Sequence, residues 1–144
     1  MRSAPQPKSL RTQAGVMLIE ALIGILIFSI GILALIGMQA TAIKNTTDAR
    51  YRSEASFLAN QIVGRMWVDR GNLALYTAAG YAPRDAWANT VASTLPGIDI
   101  ANNVLVPTIA LGAGNEVTVT IQWQQPGESQ SRTLQMINRI NGAI

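Results

Sequence analysis

Apolar and polar positions follow three patterns along this chain, and each predicts a different element. From Val16 to Ile43 the apolar residues run almost unbroken. Ala21 to Met38 is an eighteen-residue stretch without a charge, and Ser29 is its one polar side chain. As a helix this stretch rises about 27 Å, close to the thickness of a bilayer's hydrocarbon core. The run then gives way to a stripe. Ala55, Leu58, Ala59, Ile62, Val63 and Met66 recur at steps of three and four, while Arg50, Ser53, Glu54, Asn60, Gln61 and Arg65 fall largely off that line. This is the period of an amphipathic helix. Together the two patterns predict one helix from Val16 to about Arg70, with Gly71 as its stop.

The third pattern has period two. Val117, Val119, Ile121 and Trp123 alternate with Thr118, Thr120, Gln122 and Gln124, which predicts a half-buried strand over Glu116 to Gln125. Pro126-Gly127-Glu128-Ser129 is a turn, and Arg132 to Ile140 supplies a partner strand with Leu134, Met136 and Ile140 facing one way. Val104 to Leu111 is β-branched but interrupted by Pro107, so at best it is an edge strand. Pro83 to about Leu95 reads as a short helix. Pro83 suits its first turn, Asp85 suits the positive end of its dipole, and Pro96-Gly97 ends it. Residues 72 to 82 receive no assignment. The expected fold is α+β: a long N-terminal α-helix packed on a small antiparallel β-sheet, with the Val/Ile/Trp face of the sheet on the Leu58–Met66 stripe.

Charge sharpens the membrane reading. The chain has 144 residues and a formal charge of +3, yet Arg2, Lys8 and Arg11 all precede Gly15 with no acid among them. From Val16 onward eight bases balance eight acids. The basic excess is therefore a topology signal, favouring a cytoplasmic N-terminus and a body across the membrane. The remaining bases are scattered among acids, which argues against a nucleic-acid surface.

Composition also limits the chemistry. The chain holds no cysteine and no histidine, which excludes disulfides, thiolate and imidazole metal sites, and a Ser-His-Asp triad. Asp85, Asp99, Glu116 and Glu128 are separated by neutral stretches and form no spaced metal or acid–base pair. Gly112-Ala113-Gly114 lacks the lysine and flanks of a phosphate loop and reads as a turn. No enzyme activity, cofactor or metal is expected. Trp87 reads as a packing anchor.

One residue disturbs the apolar run. Glu20 lies five positions after Gly15 at the mouth of the span, where an unpaired carboxylate is costly and calls for a partner. A secretory signal peptide would have a shorter apolar core and a better cleavage site than Gly37-Met38-Gln39-Ala40. A plain membrane anchor accounts for neither Glu20 nor the glycine before the run.

The basic leader, Gly15, and Val16-Met17-Leu18-Ile19-Glu20 together resemble the class III signal of type IV pilins and pseudopilins. Gly15, Leu18, Ile19 and Glu20 match the family pattern, while Val16 replaces its usual phenylalanine and Met17 its threonine. Ser29-Ile30-Gly31, Gln39, Ala55-x-x-Leu58-Ala59-x-Gln61 and Arg65-Met66 are similar to the minor pilins called PilV.

The resemblance implies four segments: a leader at 1–15, a transmembrane and filament-core half-helix at 16–43, an amphipathic periplasmic half at 44–71, and a pilin body at 72–144. It implies cleavage by prepilin peptidase between Gly15 and Val16, N-methylation of Val16, and a role for Glu20 in assembly by pairing with the new α-amino group. Gly24, Gly31 and Gly37 would serve close helix packing. The implied partners are the peptidase, other minor pilins, the major pilin, a tip adhesin and the inner membrane, with later display on the pilus. A minor pseudopilin of type II secretion shares the same leader, Glu20 and long helix. A DNA-binding competence pilin would need a clustered basic stripe. A bitopic protein unrelated to pili would keep residues 1 to 15.

Overall fold

The computed structural model of the protein describes residues 11–141, with side chains from Gly15 onward. The expected leader, with Arg2 and Lys8, lies largely outside these residues. The chain divides into two compact units between Thr46 and Thr47.

A single helix, α1, covers Arg11–Val68 and belongs to both units. It starts earlier than the expected Val16, because Arg11 to Ala14 contain neither proline nor glycine to interrupt it. It also ends earlier than Arg70. Asp69 leaves helical geometry at φ −106° and ψ 44°. The chain then tightens into a 3-10 segment over Arg70–Thr77, which contains Gly71. Gly71 is therefore not the stop. The break sits at Asp69, whose N–H still reaches the Arg65 carbonyl at 3.0 Å while its own carbonyl accepts from Asn72 at 3.1 Å, closing a tighter turn.

In the first unit, α1 buries no large apolar side chain in the protein. Val16, Leu22, Leu26, Phe28 and Leu33 all stand exposed. An 18-residue window here reaches a mean hydropathy of 2.7, and the helix is long and apolar enough to cross a membrane.

The second unit is an α+β body. Helix α2, Ala82–Thr94, carries Pro83 in its first turn, and Asp85 follows close behind it. The Asp85 carboxylate accepts from the Gly80 N–H at 2.8 Å, fixing the approach to the helix. Three strands follow in one antiparallel sheet of order β1-β2-β3: β1 (Thr108–Leu111), β2 (Glu116–Trp123) and β3 (Arg132–Arg139). Each strand is shorter than its expected range. β1 starts only after Pro107, and β2 and β3 each stop just short of the expected ends. Val117 sits opposite Asn138, and Ile121 opposite Leu134.

The alternation along β2 is complete, with Val117, Val119, Ile121 and Trp123 all at 0 % exposure. They share one core with Ala55, Leu58, Ala59, Ile62, Val63 and Met66 of α1 and with Trp87 and Val91 of α2. The expected packing of sheet on stripe is therefore present. Two further anchors come from the 3-10 segment, where Leu73 and Tyr76 are buried. The turn after α2 is equally constrained. Gly97 adopts φ +81°, and a Cβ there would lie 2.9 Å from that of Gln124. Only glycine fits this contact without strain.

Candidate functional site

The residues singled out by their sequence setting lie on α1 in the first unit. At about 100° per residue, Val16, Glu20, Gly24 and Gly31 fall within one face of the helix about 80° wide. Gly37 lies about 100° from Glu20 and belongs to a different face. Gly15 is on the far side, roughly 140° away. The structure thus groups three of the expected residues around Glu20 and separates two.

None of these glycines is required by the chain's own packing. A Cβ built on Gly15, Gly24, Gly31 or Gly37 would meet no atom within 4 Å. Their missing side chains leave a shallow strip beside the carboxylate that a second helix could approach closely. Glu20 makes no hydrogen bond or ion pair with any described residue, and the Gly15–Val16 bond lies inside the helix.

The hydroxyls of this unit whose side chains are described are already satisfied. Ser29 Oγ donates to the Ile25 carbonyl at 2.7 Å, Thr41 Oγ1 to Gly37 at 3.2 Å, and Thr46 Oγ1 to Ala42 at 2.9 Å. Such back-bonding to the preceding turn lets a hydroxyl enter an apolar medium without an unmet donor.

Polar groups in the body form ties between elements. Asp69 is the largest hub. Its Oδ2 accepts from the Tyr76 hydroxyl at 3.0 Å and from the Tyr81 hydroxyl, and its Oδ1 accepts from Asn72 Nδ2 at 2.7 Å. The two tyrosine rings meet edge to face at 4.9 Å. The Tyr81 hydroxyl, then Asn72, holds the Asp69 carboxyl below its usual range. Burial, then the bond to Asp69, raises the Tyr76 hydroxyl. The sequence pattern did not reveal this hub, because its members are seven and twelve residues apart in a stretch without periodicity.

A second hub joins α1 to the β2–β3 turn. Buried Gln125 donates to Asp48 Oδ1 at 2.9 Å, and Arg132 lies 3.6 Å from the same oxygen and 3.4 Å from Glu128. Trp87 is a packing anchor, 3 % exposed, and its indole N–H donates to the Leu58 carbonyl at 2.9 Å. Arg84 is buried, pairs with Asp85 at 3.0 Å, and holds the Asp85 carboxyl below its ordinary value.

These ties carry no evident reaction chemistry. Among the described residues no group of three or more acids is placed to hold a metal ion. An open cleft between α1 and α2 is lined by Gln61, Ile62, Arg65, Ala86, Trp87 and Thr90. Arg65 is its one charged side chain, so it offers no acid–base pair. No protein-family model, no curated protein and no solved structure matches this chain.

Proposed function

We propose that the protein is a minor pilin of the type IV pilus, of the PilV kind, and not an enzyme. In this reading prepilin peptidase removes residues 1–15, Val16 becomes the methylated first residue, and the inner membrane holds the subunit until it joins an initiation or tip complex. One observation carries the proposal. Gly15 precedes an apolar run of membrane length whose single early charge is Glu20, and the helix that carries this run continues into an α+β body.

Glu20 faces the same way as Val16, four residues before it, and as the strip at Gly24 and Gly31. A neighbouring subunit's helix could settle on that strip and bring its amino terminus to the carboxylate. Apolar packing would supply most of the cohesion, and the charge pair would set the register.

Intact mass of the membrane-extracted protein tests the reading, in cells with and without prepilin peptidase. Loss of residues 1–15 only when the peptidase is present is the expected result, and one added methyl group would mark Val16 as modified. An uncut chain in both strains would overturn the proposal and leave a single-pass anchor.

A further inference from the structure

The open cleft between α1 and α2 lies wholly within the second unit. Gln61 and Arg65, one turn apart on α1, line one side of it. Ala86 and Thr90, one turn apart on α2, line the other. Ile62 and Trp87, 1 % and 3 % exposed, form an apolar floor, and Ala86 adds only a methyl group to the rim. The volume is about 340 Å³, at the small end of the roughly 300–1,000 Å³ of ligand clefts.

The polar groups around this floor are unequally employed. Thr90 Oγ1 donates to the Ala86 carbonyl at 2.9 Å, and the Trp87 indole N–H to that of Leu58 at 2.9 Å. Both of these donors are spent. Arg65 and Gln61 are exposed, and their side chains make no hydrogen bond or ion pair with any described residue. No acid lines the cleft. The acid nearest to Arg65 in sequence is Asp69, whose carboxylate already accepts from Tyr76, Tyr81 and Asn72. Among the influences on that carboxyl, the charge of Arg65 is the least.

Unspent donors therefore stand beside an apolar floor, and this combination selects a ligand. A carboxylate matches the parallel N–H groups of a guanidinium. Phosphate or sulfate would meet a single cation and leave the floor uncovered. A neutral amphiphile would leave Arg65 without a counter-charge.

We propose that the cleft binds a free monocarboxylate with a compact apolar body of about four to six carbons. The carboxylate pairs with Arg65 and accepts from the Gln61 amide, and the body covers Ile62 and Trp87 beside Ala86. The site does not depend on the pilus reading, because every residue in it belongs to the α+β body.

The test is nuclear magnetic resonance of the full chain in micelles of an uncharged detergent. The reporters are the Gln61 side-chain amide and the Trp87 indole N–H. The probes are isovalerate, its neutral amide isovaleramide, and acetyl-leucine, which imitates the end of a polypeptide. Isovalerate should shift both reporters saturably, with a midpoint of about 1–10 mM. Isovaleramide should bind at least about tenfold more weakly, because it cannot pair with the guanidinium. Arg65→Gln keeps a polar side chain without the charge and should weaken isovalerate by a similar factor. Ala86→Leu fills the cleft and should abolish the shifts. Slow amide exchange at Val117 and Val119 confirms that each variant keeps its core.

Equal binding of isovalerate and isovaleramide would overturn the proposal, as would undiminished binding by Arg65→Gln. So would the absence of any saturable shift up to about 100 mM isovalerate. Binding of acetyl-leucine without binding of isovalerate would also overturn it, and would name a chain terminus as the occupant.

Discussion

The two halves of α1 both carry many apolar residues and meet opposite fates. In the first unit the apolar side chains circle the helix and, among the described residues, none is covered by the protein. In the second they are confined to a stripe, and Ala55, Ala59 and Met66 reach 0 % exposure. The distinction lies in arrangement as much as in amount. A continuous apolar surface has no preferred partner within a small body and must be solvated by lipid or by other helices. A stripe of about 100° has one side to cover and can be covered by a single sheet.

This contrast can be broken most sharply by truncating matched side chains. Ile62→Ala should lower the stability of the body by about 2–5 kcal/mol, whereas Ile27→Ala should shift it by no more than about 0.5 kcal/mol. Tryptophan fluorescence during denaturant unfolding of the micelle-bound full chain reads both. Equal losses would mean that the halves do not differ as described.

Gly97→Ala tests a contact that belongs to the body alone. The positive φ and the close approach to Gln124 predict a loss of about 2 kcal/mol or more, measured in the same way. Trp87→Phe keeps the ring in the core but removes the bond to the Leu58 carbonyl. About 1 kcal/mol is expected, with β2 amide protection retained.

The smallest effect concerns pH. The Asp69 carboxyl is depressed in the folded body, so its stabilising contribution is present above the ordinary aspartate range, at about pH 4. It is lost as pH falls through the lower folded value. Tyr76 and Tyr81 are raised, so their contribution holds below about pH 10 and fades above it. Melting temperature against pH should therefore fall at both ends in the parent. Asp69→Asn should flatten the acid limb. An unchanged acid limb would show that the Asp69 hub contributes nothing to folding.

The parts of the fold legible in the sequence were those with a long period. β2 declared itself because four buried residues alternate with polar ones, and the α1 stripe because six recur at helical steps. The ends and the irregular segment were less accessible. Residues 72 to 82 carry no repeat, and the 3-10 segment there is held by Asp69 reaching Tyr76 and Tyr81, a relation between distant positions. Gly71 looked like a helix stop on local grounds, yet the break sits two residues earlier, where the Asp69 backbone closes a tighter turn with Asn72. For the candidate site, the neighbourhood of Glu20, Gly24 and Gly31 was implicit in their spacing, while Gly37 looked equivalent in sequence and stands on another face.

The tie at Asp48 has a consequence for where the body begins. It sits at the start of the second unit and holds Gln125 and Arg132, which flank the β2–β3 turn. The body carries no covalent staple, since the chain has no cysteine. Along the chain these polar contacts at Asp48 come before Ala55, the first fully buried residue of the stripe, so the hairpin is tied to α1 ahead of the apolar core.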